Sequence, residues 1–417
     1  MTQTIFTVVA EIAPDRLDSL RGVVAEIAAD PGTNAVLGFG QFTSLHFASV
    51  VIFGSSRLPP TLIVENNVDG PLDDWLPILV AHGRTGIDTL FAHCVGYPVD
   101  ASAGEVVAWL GAHVVRPGAY HVGATGRSLA RIRQEAALHG AIEDFIDAEH
   151  GAGRLAGSPP AVRAAIQDFV RADPRFAWAA VTPPRQTWGE RGGHLGRLAA
   201  AVTGALLLSP LLIPVLAAWI AVLRVKEAVD PVQRGPADPD WVNAQQERED
   251  LAAQNHLASV IAVKPGFVRA TTLPIVLWAL NLLARVAYTH GDLGGIPSIH
   301  FAHWSLIDEG RHLVFLSNFD GSWESYLGDF IDKASVGLTA VWSNTEEFPR
   351  TRFLAFAGAA DGPRFRQWAR AHGCPTDAWY SAYPELTMPI IDNNTALREG
   401  LYARLHGEEV QAWLRRL

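Results

Sequence analysis

The sequence predicts an α+β protein made of two β-α-β-β-α-β repeats whose sheets pack on each other, with a central apolar helical segment between them. Three observations predict it. Residues 67–98, starting Asn67-Val68-Asp69-Gly70, align without a gap on 318–349, starting Asn318-Phe319-Asp320-Gly321. Leu76/Leu327, Gly86/Gly337 and Pro98/Pro349 are identical, and Trp75/Tyr326, Phe91/Trp342 and Tyr97/Phe348 stay aromatic. Upstream, Ser44-Leu45-His46-Phe47-Ala48 matches Ser298-Ile299-His300-Phe301-Ala302. Self-similarity at this distance is the mark of an internal duplication. The third observation is the stretch Leu198 to Leu223, which carries no charge.

Each element has a local reason. Thr4 to Ile12 is rich in β-branched and aromatic residues and predicts a strand; the Pro14-Asp15 step leads into Arg16 to Ala29, where aliphatic residues recur at helical spacing. Leu45 to Phe53 and Thr61 to Glu65 predict two strands joined by a Ser/Pro loop. Asp69-Gly70-Pro71 turns the chain into a helix over Leu72 to Ala81, and the apolar run around Thr89 to Val95 supplies a fourth strand. In the second repeat the same reading gives strands at His256 to Val263, Ile299 to Ile307, His312 to Ser317 and Leu338 to Ser343, with helices at Val268 to Tyr288 and Ser322 to Lys333. Trp109/Trp368, Ala112-His113/Ala371-His372 and Tyr120/Trp379 carry the similarity into an extension after each unit.

The domains expected are therefore 1–145, a linker region 146–255 containing the apolar segment 198–223, and 256–417. The β-α-β-β-α-β order is the ferredoxin-like one. A four-stranded antiparallel sheet with helices on one face leaves the other face bare, and two copies can bury those faces together. In element order, duplication and Asp-Gly turn the chain resembles the dimeric α+β barrel superfamily, with both halves in one chain. That resemblance implies an intramolecular barrel with a closed cavity.

An uncharged stretch as long as 198–223 can reach across a bilayer. Pro210 and Pro214 would kink a span, and Arg191 and Arg197 before it balance Arg224 and Lys226 after it, so the segment is expected to dip in and return, a monotopic anchor on the cytoplasmic membrane face. Ala270 to Ala284, between Arg269 and Arg285, reads as too short to span and suits an interfacial or buried helix. Both could instead be core helices.

Composition sets bounds. At 417 residues with 49% hydrophobic residues the chain can bury a large core, and 18% charged residues is low against roughly 25% for soluble domains. A net charge of −10 argues against a nucleic-acid partner. Cys94 and Cys374, at non-equivalent places in the repeats, make neither a disulfide framework nor a four-thiolate metal site. Met1 to Ala10 has no basic n-region, so a reduced cytoplasmic setting is expected.

The densest polar constellation runs from His300 and His303 through Asp308, Arg311 and His312 to Asn318, Asp320, Trp323 and Glu324. Strand alternation would put His300 and His303 on opposite faces. His300, matched by His46, is the candidate base or ligand; Asp320 is the candidate acid; Asn318 and Trp323 are candidate positioning groups. Core hydrogen bonding and helix capping would explain the same residues without catalysis. The sequence around Asp320-Gly321 also resembles the Gly-x-x-Asp-Gly motif of dye-decolorising haem peroxidases, with Ser317 in place of the first glycine. That resemblance implies haem, Asp320 as distal acid, and a downstream proximal histidine, for which His372 and His406 are the candidates; Arg311, Arg350 and Arg352 are candidates to hold a carboxylate or propionate. The expectation is a membrane-associated, peroxidase-like oxidoreductase acting on a lipophilic or aromatic small molecule, with a non-catalytic lipid-binding or scaffold protein as the alternative.

Overall fold

A computed structural model describes residues 3–154, 157–181, 209–233, 235–287 and 295–417, together with residues 196 and 203. The strands are β1 (Gln3–Glu11), β2 (Leu45–Phe53), β3 (Thr61–Asp69), β4 (Val114–Val115), β5 (Ala119–Val122), β6 (Gln254–Ala262), β7 (Ile299–Ile307), β8 (His312–Asp320), β9 (Thr351–Arg352), β10 (Phe356–Ala357), β11 (Gly373–Cys374) and β12 (Ala378–Ser381). The helices are α1 (Leu17–Ala29), α2 (Leu72–Phe91), α3 (Ala103–Ala112), α4 (Leu129–Gly151), α5 (Pro159–Ala172), α6 (Ser209–Val229), α7 (Pro239–Gln246), α8 (Phe267–Ala287), α9 (Trp323–Trp342), α10 (Gly362–His372), α11 (Met388–Leu401) and α12 (Glu408–Leu414).

The fold is α+β with two five-stranded antiparallel sheets, ordered β12-β2-β3-β1-β4 and β11-β6-β8-β7-β5. The run β4-β1-β3-β2 is compatible with a ferredoxin-like arrangement, and β11-β6-β8-β7 follows the same order. Each sheet takes one of its two outer strands from the opposite half of the chain: β12 pairs with β2, and β5 pairs with β7. Exchanging these strands covers an edge that each four-stranded unit would leave open.

The expected closed barrel does not form. Among the described residues no ladder joins the two sheets, which stack face to face instead. Val51 and Ile63 of one sheet meet Ala258, Val260, Val314 and Leu316 of the other in a shared apolar layer, so the space expected to be a barrel cavity is packed. The helices cover the outer faces in two further clusters.

The expected fourth strand is also corrected. Thr89 to Phe91 lies in α2 and Leu338 to Trp342 in α9, each a helix of 20 residues. A short apolar run cannot by itself distinguish a strand from a buried helix turn, and here helical packing prevails: Gly86 lets α2 lie against Leu37, where an added Cβ would come within 2.7 Å of that side chain. Only isolated bridges follow, Ile12 with Cys94 and Val263 with Thr345; the fourth-strand places are taken by the two-residue β4 and β11.

Of the central apolar segment, 198–202 and 204–208 lie outside the described residues; 209–223 falls in α6. The Ala270–Ala284 stretch belongs to α8, whose Phe267–Ala284 portion is, at 18 residues, long and apolar enough to cross a membrane, contrary to the expectation. Its geometry is that of a surface helix all the same: Leu273 and Leu277 are buried against the second sheet while Phe267, Ile275 and Trp278 are exposed.

Candidate functional site

The stacked sheet faces form three layers. The apolar layer lies at one end. Next comes a polar layer centred on Glu65 of β3, a fully buried carboxylate. His256 Nε2 of β6 donates to it at 3.1 Å, His303 Nδ1 of β7 lies at 3.4 Å, Ser49 Oγ donates at 3.1 Å, and Asn318 Nδ2 stands 3.4 Å from both carboxylate oxygens. Burial pushes the Glu65 carboxyl up, but hydrogen bonds and charge from His256 and His303 outweigh it and hold the group well below the usual carboxylate range. On their far sides His256 Nδ1 meets Thr376 Oγ1 at 2.8 Å and His303 Nε2 meets Thr7 Oγ1 at 3.1 Å.

The third layer holds two aspartate–histidine pairs at matching positions. His46 and His300 are the extra residues of β-bulges, between Leu45 and Phe47 and between Ile299 and Phe301. A bulge re-aims its side chain and resets the alternation, so His300 and His303 both face the opposite sheet, not opposite sides as strict alternation would require. His300 Nε2 donates to Asp320 Oδ1 at 2.7 Å, and Asp320 Oδ2 accepts the Met388 amide at 2.7 Å, capping α11. In the other half His46 Nε2 lies 3.0 Å from Asp69 Oδ1, and Asp69 Oδ2 accepts the Leu129 amide at 2.8 Å, capping α4. Tyr383 stands between the pairs, its hydroxyl 3.1 Å from His46 Nδ1; burial and the two aspartates raise its pKa well above the usual phenol value.

A separate cavity of about 270 Å³ opens along β6, bounded by α7, α9, α10 and the 373–379 segment. Trp323, Phe330, Trp342, Phe365 and Trp368 make its apolar wall, and Arg248, His256 and Thr376 are among the polar groups that line it. Arg370 stacks over Trp323 with its guanidinium carbon 3.5 Å from the ring centroid, and also holds Glu249 at 2.7 Å. Through His256 this cavity communicates with the buried Glu65.

The candidate residues are thus divided. His300 and Asp320 belong to the capping layer; Asn318 to the Glu65 layer, where its Oδ1 also accepts Trp379 Nε1 at 2.8 Å; Trp323 and His372 to the cavity wall. Arg311 lies on the exposed β7–β8 turn, paired with Asp308 at 2.6 Å. Sequence reasoning missed Glu65, His256 and Tyr383. The available signal for Glu65 was a carboxylate directly behind the apolar run Leu62-Ile63-Val64 of a strand, the kind of group that is buried only when paired.

Of the residues that the haem resemblance implies, Asp320 and His372 are already engaged in hydrogen bonds. Both oxygens of Asp320 are committed, to His300 and to the Met388 amide, and Asp320 is not among the residues lining the cavity. His372 does line it, but its Nδ1 is bonded to the Trp368 carbonyl at 2.9 Å and its Nε2 stands 3.6 Å from Glu347; His113 bonds Trp109 in the same way at 2.8 Å. Among the described residues no group of three or more His, Cys, Asp or Glu side chains could hold a metal ion. Comparison of the chain with protein-family models, with curated proteins and with solved structures finds no match in any of the three.

Proposed function

We propose that this is a tandem-duplicated, membrane-surface protein that holds a lipophilic or aromatic small molecule in the cavity beside β6. The observation that carries the reading is the cavity itself: an aromatic wall with a few polar groups at one side is the usual make-up of a small-molecule site. The exposed apolar faces of α6 and α8 support a seat at the cytoplasmic face of a membrane, from which such a molecule would enter. Of the two functional classes, binding without turnover is the better supported, because Asp320 caps α11 and His300 is bonded to it. Organic extraction and mass spectrometry of the purified full chain test it. A stoichiometric lipophilic compound is expected, and a chain that carries none and takes none up from added membrane lipid would refute the proposal.

One observation favours an enzymatic second reading, an oxidoreductase acting on the same molecule. His256 lines the cavity and is oriented by a buried carboxylate, as a proton-accepting group would be. Because a carboxylate only accepts, the Nε2 that faces Glu65 carries a proton, and Nδ1, which meets the Thr376 hydroxyl, is the ring atom turned away from the carboxylate. On this reading His256→Gln abolishes turnover while leaving ligand retention intact. The haem version is tested by the absorption spectrum and iron content of the same preparation.

A further inference from the structure

We propose that the hairpin formed by β9 and β10, together with the neighbouring ends of α6 and α8, is a docking element for an anionic lipid surface. The inference rests on the membrane seat proposed above and adds its lipid chemistry and its geometry. The N-terminal part of α6 is exposed on all described sides, with Ile213, Val215 and Leu216 among its uncovered residues. Trp219 ties α6 to α8, its Nε1 donating to Thr272 at 2.9 Å and its ring packing edge-on to Phe267, which is itself 75% exposed. Phe353 and Phe356 of the hairpin are 55% and 61% exposed. A contiguous apolar face of this kind marks an interaction site.

The hairpin is built to present its aromatic residues. Phe353 and Leu354 have positive φ angles of 54° and 61°, a conformation costly for bulky side chains. Buried Glu227 of α6 holds them there, accepting the Phe353 amide at 3.0 Å, the Leu354 amide at 2.8 Å and the Thr351 hydroxyl at 3.0 Å. Arg224 lies over the Phe353 ring at 5.0 Å and pairs with Glu227, so its charge is spent internally. Three other cations are not. Arg350 and Arg352 are exposed, Lys226 is partly exposed beside Gly266, and among the described residues none of the three has an acidic partner.

On a chain of net charge −10, free cations beside exposed aromatics are what complements anionic headgroups above a shallow apolar layer. The geometry gives α8 a position flat on the surface, because the face opposite Phe267 and Trp278 is buried on the second sheet. The protein would lie on the bilayer and not cross it.

Co-sedimentation of the full chain with vesicles of phosphatidylcholine, and of phosphatidylcholine with phosphatidylglycerol, tests the proposal. The wild type is expected to prefer the anionic vesicles. The double variant Arg350→Ala/Arg352→Ala should lose about thirtyfold in affinity for them, at about fivefold per cation, with an unchanged melting temperature. Phe353→Ser/Phe356→Ser should weaken binding to both vesicle types. Equal wild-type binding to neutral and anionic vesicles, or anionic binding that survives the arginine substitutions, overturns the anionic proposal while leaving a membrane seat standing. Binding to neither vesicle overturns both.

Discussion

The two halves of the chain agree where their sheets meet at the capping layer and disagree elsewhere. Asp69 and Asp320, His46 and His300, Phe47 and Phe301, and Asn67 and Asn318 occupy matching register positions, and each histidine ring packs on the phenylalanine of the other half at 5.3 and 5.2 Å. One layer away the match ends. Ladder positions place Glu65 opposite Thr7 in the first sheet and Leu316 opposite Ala258 in the second; His256 takes the place of Ile5, and His303 that of Ser49. The carboxylate is thus contributed by one sheet and both imidazoles by the other. Residues kept in both halves maintain the shared architecture, and residues that differ make the sheet pairing directional. The outer faces differ most: α1 has 13 residues, whereas its counterpart α8 has 21 and exposes an apolar stripe.

Breaking the directional layer should have the largest effect. Glu65→Gln leaves two imidazoles without their buried carboxylate and should cost about 3–5 kcal/mol in denaturant unfolding, the magnitude for removing one partner of a buried ion pair. The capping layer comes next. Asp320→Asn should cost about 2 kcal/mol and Asp69→Asn about 1 kcal/mol, since the His300–Asp320 contact is a 2.7 Å hydrogen bond while His46 approaches Asp69 at 3.0 Å without hydrogen-bond geometry. Equal losses would mean that the two caps are equivalent after all.

The pH dependence sharpens the same contrast. In the unfolded chain Glu65 takes up its proton near the usual value of about 4.3, whereas in the folded protein it resists protonation until well below that. Its contribution is therefore complete above about pH 5 and declines as pH falls through the acid range, because the unfolded state binds the proton first. The acid slope of stability should be visibly shallower in Glu65→Gln, and an unchanged slope would show that the carboxyl is not held ionised. Smallest of all, Arg311→Ala should change stability by less than about 0.5 kcal/mol, since its pair with Asp308 sits on a 65% exposed side chain.

Much of this fold is legible in the sequence. Leu45 to Phe53 is a strand at those limits, and the repeat around Asp69-Gly70 and Asp320-Gly321 does place equivalent residues in equivalent strands. Local chemistry points to a cap on the helix directly behind the turn, and Ser322 does supply it, but the aspartates accept amides 60 and 68 residues onward, at Leu129 and Met388. The exchange of β5 and β12 leaves no local trace, because a four-residue strand reads the same whichever sheet receives it. The bulges that turn His46 and His300 inward are likewise set by pairing between strands. The cavity was illegible for the same reason: His256, Thr376 and Trp368 meet only through tertiary packing, and no motif of fixed spacing joins them.

The central claim is that ligand chemistry belongs to the β6 cavity and that the paired interior is architectural. The most direct measurement is titration of the full chain, in phosphatidylcholine nanodiscs, with the fluorescent lipophilic probe phenylnaphthylamine, comparing Ala369→Phe, which fills the cavity wall, with Asp320→Asn. The account predicts saturable binding at one site per chain, lost in Ala369→Phe and retained in Asp320→Asn. Binding that persists in Ala369→Phe, or that disappears only when Asp320 is changed, would contradict it.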